Sequence, residues 1–150
     1  LSDEVPLDRL TVLAGLTAAE RELVGRALGR RVYQRGDIVI KEGDTDRSLF
    51  MISKGTASVK VKLAGQDREK RLASFSPGAV FGEVALLDEE PRSATVTADE
   101  ELVCYVLDAA RFRALTEEHP SIAIRLLTNL SRELSRRLRK ANAMISQLEG

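Results

Sequence analysis

Cysteine and histidine are nearly absent from this chain, with one of each among 150 residues. The single cysteine, Cys104, rules out an internal disulfide and any zinc cluster built on cysteines. It stands in the apolar run Leu102–Leu107, where a free thiol behaves as a small core residue. A reducing compartment fits that usage without being required. One histidine is too few for metalloenzyme sites that draw on several histidine ligands, and no carboxylate cluster of ligand spacing replaces them. His119 precedes Pro120, which makes it a turn residue. No apolar run approaches the roughly 18 residues that span a bilayer, and the opening residues lack the order of a signal peptide. The expected location is the cytoplasm, or the cytosolic part of a membrane protein.

Charge of one sign is missing as well. Lys and Arg number 23, Asp and Glu number 23, and the formal net charge is zero. No global basic field draws the chain to nucleic acid, so any attraction for an anion is local. Nucleophile elbow, Walker loop and dinucleotide fingerprint are all absent, and no catalytic residues are expected. The length allows one domain with a real core. Leu1 in place of an initiator methionine points to a piece of a longer protein.

The chain changes period twice. Up to about residue 30 it reads helical: Thr17-Ala18-Ala19-Glu20 is a capping box, followed by Leu23, Val24, Ala27 and Leu28 at helical spacing. A shorter apolar segment, Leu7 to Leu13, precedes it. Residues 31–107 are short runs of Val, Ile, Phe and Thr punctuated by Gly36, Gly43, Gly55, Gly65 and Gly78. That spacing predicts many short antiparallel strands in a sandwich or roll. Thr56 to Leu63 alternates as a half-buried strand, and Gly65 favours a hairpin tip. Residues 108–150 are helical again, with Asp108 as N-cap of Ala109 to Glu118 and a break at His119-Pro120. Leu127, Leu130, Leu134, Leu138, Ala141, Ile145 and Leu148 then step by three or four along one stripe of a long helix. The predicted class is α+β: an antiparallel β-roll of the double-stranded β-helix or jelly-roll type, flanked by N-terminal helices and a long C-terminal helix.

Within the roll, Phe81 to Val96 reads F-G-E-V-A-L-L-D-E-E-P-R-S-A-T-V. Gly82 and Glu83 stand at the predicted start of a short helix, whose unpaired N–H groups and partial positive charge suit an anion. Arg92 follows nine residues after Glu83 and can add a fork matched to phosphate oxygens. Pro91 stiffens the approach to it. A carboxylate repels phosphate, so Glu83 belongs beside one only if it accepts a hydrogen bond from a hydroxyl. A phosphate and a sugar hydroxyl together suggest a nucleotide. Taken singly, Glu83 would complement a helix dipole and Arg92 would be a solvated surface arginine; their spacing between F-G and S-A-T-V favours the ligand role.

This stretch resembles the phosphate-binding cassette of cyclic nucleotide-binding domains, the family of the catabolite activator protein's sensor and the protein kinase A regulatory subunits. Gly36-Asp37, Glu42-Gly43-Asp44, Leu49-Phe50-Met51-Ile52, Lys54-Gly55 and Ser76-Pro77-Gly78 extend the resemblance over roughly Tyr33 to Leu107. It implies one domain over residues 1–150 that holds cAMP or cGMP as ligand, with no cofactor and no metal. In the pattern so carried over, Gly82 lets the ligand approach the backbone and Glu83 accepts the ribose 2′-OH. Backbone N–H groups near Val84 and Ala85 face the phosphate or ribose. Arg92 pairs with the cyclic phosphate, with Ser93 and the Ala94 N–H beside it. Val59, Leu72 and Ala73 line the apolar part of the pocket. On the last helix, Asn142 either meets the purine edge or is solvated. Ser93 tilts the reading to cAMP over cGMP.

The resemblance implies a non-catalytic sensor that signals through its C-terminal helix to an effector domain, linked or separate. The apolar stripe can be a homodimer seam or an intramolecular lid, and Arg137 interrupts the seam at one position. Arg125, Arg132, Arg136, Arg137, Arg139 and Lys140 are read as the solvated side of that helix. Two alternatives stay open: the sensor half of a transcription factor without its helix-turn-helix, or a degenerate domain kept for protein–protein contact. No recognition helix is present, so direct DNA binding is not expected.

Overall fold

The computed structural model describes residues 4–62, 65, 67–83 and 90–149. Two 3-10 turns, Leu7–Arg9 and Thr11–Leu13, lead into helix α1, Ala18–Ala27. The capping box closes reciprocally: Glu20 N–H donates to Thr17 Oγ1 at 3.2 Å, and Thr17 N–H donates to Glu20 Oε1 at 2.9 Å. Eight described strands follow: β1 Gly29–Tyr33, β2 Ile38–Ile40, β3 Ser48–Lys54, β4 Ala57–Lys62, β5 Glu69–Phe75, β6 Val80–Phe81, β7 Thr95–Ala98 and β8 Leu102–Asp108. Helices α2, Ala109–Glu118, and α3, Pro120–Glu149, end the chain. Asp108 caps α2 by accepting from Arg111 N–H at 2.8 Å, and His119 closes it with an N–H bond to the Leu115 carbonyl.

The strands form two open antiparallel sheets, β1-β8-β3-β6 and β2-β7-β4-β5. This is the predicted roll, made of two sheets rather than a closed barrel. β3 explains the layering, because Ser48 to Ser53 are all buried. Side chains alternate across a strand. Leu49 and Met51 therefore join a core with α1, α2 and α3, whereas Phe50 and Ile52 join a second core between the sheets. Three of the four phenylalanines form one stack in that second core: Phe50 on Phe81 at 5.1 Å and Phe81 on Phe75 at 5.3 Å. The Arg31 guanidinium caps the stack over Phe50.

The long helix departs from a single stripe. Its first third is buried through Ile122, Ala123, Leu126, Asn129 and Leu130. Asn129 Nδ2 donates to the Val12 and Ala14 carbonyls, both at 2.8 Å, which satisfies a buried amide and clamps the N-terminal turns onto α3. Of the predicted stripe only Leu130 points into the core; Leu138, Ile145 and Leu148 are exposed. The physical reason is that steps of three and four satisfy more than one helix face when a helix is 30 residues long. The β4–β5 hairpin forms as predicted, with Gly65 at φ 74°; residues 63, 64 and 66 lie outside the described residues.

Cys104 lies in the inter-sheet core, as its surroundings in the sequence predict. Burial pushes its thiol up to about 12, with the Arg31 charge acting the other way. The fold therefore holds the neutral thiol. That contribution to stability is complete below the ordinary thiol range and is lost as pH rises through it toward the folded value. A thiol reagent at neutral pH should leave Cys104 unlabelled in the folded chain and label it fully in urea. Rapid labelling of the folded chain would contradict this burial.

Candidate functional site

Arg92 is the organising side chain of the cleft, and only 7% of it is exposed. Its Nη1 donates to the Gly82 carbonyl at 2.8 Å and its Nη2 to the Ser48 carbonyl at 2.7 Å. The main chain is fixed too: Arg92 N–H donates to the Asp44 carbonyl, and Gly43 N–H donates to the Arg92 carbonyl, each at 2.8 Å. Arg92 thus joins the turn after β2, the start of β3 and the end of β6. Burial draws its pKa down, while the carboxylates of Asp46, Glu83 and Asp44 act to raise it. A guanidinium stays charged through such a shift. Its Nε is buried and has no hydrogen-bond partner among the described residues.

Glu83 is 7% exposed and follows Gly82, whose φ is 82°. The left-handed backbone suits glycine, and close packing requires it as well. A Cβ at Gly82 would stand 2.8 Å from the Ser48 carbonyl oxygen and 3.0 Å from Arg92 Nη1. Glu83 Oε1 accepts from Arg137 Nη1 of α3 at 3.0 Å. Arg137 Nη2 also donates to the Val80 carbonyl, and the guanidinium lies 5.0 Å from the Phe75 ring centroid. Arg137 Nε is 3.5 Å from Glu133 Oε1, one turn back on the same helix.

A cleft of about 230 Å³ opens over Arg92. Of the predicted site residues it brings together Gly82, Glu83, Arg92, Ser93, Ala94 and Val59, with Phe75, Phe81, Pro91 and Val96 around them. Leu72 and Ala73 line an adjoining groove of about 550 Å³ between β5 and α3. Phe75 borders both spaces. The cleft alone is below the roughly 300–1,000 Å³ usual for small-molecule sites, and cleft plus groove lie within that range. Val84 and Ala85, with the short helix predicted for them, lie outside the described residues.

Asn142 is not brought to either space. It is exposed, and α3 faces the groove through Glu133, Arg136, Arg137, Lys140, Ala141 and Met144. One residue is about 100° of helical rotation, which turns Asn142 away from the groove that Ala141 lines. Two residues escape the sequence reading. Phe75 lies two positions beyond Ala73 on the same strand, and strand alternation could have included it. Arg137 reads in the sequence as an interruption of an apolar seam and as one of the solvated cations of the helix; the second reading is corrected here, because its guanidinium is largely covered and bonded to Glu83 and the Val80 carbonyl.

A buried cation and a buried carboxylate side by side in a cleft suit a ligand that carries both an anionic group and a hydrogen-bond donor. The comparisons agree with that class. Residues 30–119 match the cyclic nucleotide-binding domain, and the chain belongs to that family. It is 34% identical over 135 residues to the cyclic AMP receptor protein of Thermus thermophilus, covering 89% of this chain and 60% of that protein. It is 36% identical over 148 residues to glutaminase 2 of Bradyrhizobium diazoefficiens, covering 99% of this chain and 23% of that protein. The crystal structure of the Thermus thermophilus catabolite activator protein superposes with a TM-score of 0.77 at 31% identity, covering 93% of this chain and 63% of that one. The chain thus spans less than two thirds of these relatives. No helix among the described residues is long and apolar enough to cross a membrane.

The Gly82 geometry yields a direct test. Gly82→Ala should lower stability in urea by about 1–3 kcal/mol from backbone strain and add a clash that displaces Arg92 from the Ser48 carbonyl. Gly36→Ala, at φ 88° with nothing within 4 Å, should show the strain alone. Equal losses in the two variants would remove the clash.

Proposed function

We propose that this chain is a non-catalytic cyclic nucleotide sensor, selective for cAMP over cGMP, that signals through α3 to a linked or partner effector domain. The observation that carries the reading is Arg92 Nε, a buried donor with no partner among the described residues, at a cleft shared with Glu83. A cyclic phosphate supplies the missing acceptor, and the charge-assisted bond is strong in a buried setting. The ribose 2′-OH donates to Glu83, and the base enters the groove walled by Leu72, Ala73 and Phe75. The Ala94 backbone N–H adds a phosphate contact. Ser93 sits beside Arg92 at the cleft, the place where a hydroxyl serves the phosphate in a cAMP site. The name of the Thermus thermophilus relative, a cyclic AMP receptor protein, supports the same choice. Calorimetric titration should show one-site binding of cAMP, tighter than cGMP. Arg92→Ala should weaken it by at least about a hundredfold, the cost of losing a buried charge-assisted contact. A folded chain freed of co-purified ligand that binds neither nucleotide would leave the degenerate interaction domain as the better reading.

The outer face of α3 supports homodimerisation. Ile124, Leu127, Ser131, Leu134, Leu138, Ala141, Ile145 and Leu148 alternate steps of three and four, the spacing of a coiled-coil seam, with Ala141 at the edge where the seam meets the groove. Ile124, Leu138, Ile145 and Leu148 are 52–87% exposed. Arg137 does not interrupt this seam, because it faces the roll. Sedimentation equilibrium should report a dimer that Leu138→Glu with Ile145→Glu converts to a folded monomer. A monomeric parent chain at all concentrations would overturn the seam.

A further inference from the structure

Charge is unevenly divided in this neutral chain. Helix α3 carries six cations, Arg125, Arg132, Arg136, Arg137, Arg139 and Lys140, against two acids, Glu133 and Glu149. It therefore holds four positive charges in excess, and the rest of the chain holds four negative ones. Arg132, Arg136 and Lys140 stand four apart, a spacing at which like charges repel on a helix. Two of the six are answered inside the molecule: Arg137 by Glu83 of the roll at 3.0 Å, and Arg136 by Glu133 at 2.7 Å. Arg132 and Arg139 are exposed and make no ion pair or side-chain hydrogen bond among the described residues.

The unanswered cations are periodic. Arg125, Arg132 and Arg139 recur every seventh residue, in a row about 21 Å long at the helical rise. Arg125 rests against the Gly15 turn at one end of it. Thr128, Ser135 and Asn142 follow each arginine by three positions and form a second, parallel row of small polar residues. Arg132 and Arg139 stand about 140–160° round the helix from Arg137, so the row faces away from the roll. Thr128, Ser131, Arg132, Ser135, Arg136 and Arg139 border a shallow hollow of about 520 Å³. The Thr128 and Ser131 hydroxyls donate back to the Ile124 and Leu127 carbonyls at 2.8 and 2.9 Å, which keeps its floor low between the arginines.

We propose that the outward arginine row of α3 is a docking surface for an acidic helix of the effector domain, with carboxylates at the same seven-residue spacing. The inference rests on the reading of α3 as the signalling element and names the chemistry of what that element meets. A row of period seven is matched along its length by another helix, whose side-chain ridge can enter a hollow floored by small residues. Each arginine offers a planar fork to a carboxylate. A second α3 does not fit, because it brings only Glu133 and Glu149 against six cations of its own. The row also lies one position beyond Ile124, Ser131 and Leu138, so pairing through that seam leaves it uncovered. A bilayer surface fits poorly, since the arginines lie on one side of the exposed Leu138 and Ile145 and the roll stands on the other. The excess negative charge elsewhere in the chain opposes a long polyanion such as nucleic acid.

The probe is a fluorescein-labelled helical peptide of three heptads with a glutamate at every seventh position, titrated with the chain by anisotropy and without nucleotide. Binding should saturate at one site and weaken as salt is raised. Arg132→Glu with Arg139→Glu should weaken it at least about tenfold. A peptide with lysines in place of the glutamates should bind that variant and not the wild type. Arg26→Glu with Arg113→Glu, on α1 and α2, should leave binding within about twofold. Melting curves verify that each variant folds. Equal losses from the two reversals would reduce the row to bulk charge and overturn the inference. Equal binding of a peptide with its glutamates spread over all faces would do the same, as would no binding. Tighter, row-dependent binding to phosphatidylserine vesicles or to a short DNA duplex would replace the acidic helix with that polyanion. Salt-sensitive self-association, lost in the Arg132→Glu, Arg139→Glu variant, would name a second copy and overturn the effector helix. A chain that binds the peptide but neither cAMP nor cGMP would keep the docking surface and lose the sensor reading.

Discussion

The site depends on two hydrogen bonds, from one buried guanidinium to the main-chain carbonyls of Gly82 and Ser48. A cation taken from water is costly unless carbonyls or carboxylates receive it. Here the carbonyls belong to the segments that must be held together. Ser48 opens β3, the strand buried on both faces, and Gly82 follows β6, which pairs with β3. The turn after β2 is tied in by the main chain of Arg92 itself. Shifting any of these segments leaves a buried charge short of oxygen atoms, so the position of the cleft follows from the satisfaction of Arg92.

That constraint also places the aromatic stack. Phe81 precedes Gly82, and its ring lies between Phe50 of β3 and Phe75 of β5. Ring stacking adds modest specific energy to the area the rings bury. Its larger effect is geometric, because the stack spans the two sheets from the Arg31 side to the Arg137 side. The cleft therefore has a rigid apolar wall next to its charged floor. Phe75 carries that wall into the groove under α3.

The last helix serves two faces with different chemistry. Its first third is fastened by apolar burial and by the Asn129 clamp. Farther along, Arg137 reaches the roll with a charged, directional contact. Ion pairs that are partly exposed are weak next to apolar burial, so the far part of the helix is held less firmly than its start. About a quarter turn round the helix from Arg137, Leu138 and Ile145 are exposed.

Local rules made much of this legible in residues alone. The Thr17 capping box, the Asp108 cap and the break at His119-Pro120 are contacts within three or four positions of chain, where type and spacing decide the structure. The placement of Glu83 and Arg92 at one cleft, nine positions apart between Gly82 and the strand at Thr95, is legible because one short segment carries both. What came only with the tertiary structure concerns distant partners. Arg137 and Glu83 are 54 positions apart, and a stripe repeating at three and four cannot say which face of a long helix meets the roll. Without that rotation Asn142 fits either the purine edge or solvent, and Arg137 reads as a flaw in a seam or as a solvated cation. Helix rotation is set by burial of Ile122, Leu126 and Leu130 against the sheet, an energy summed over contacts remote in sequence.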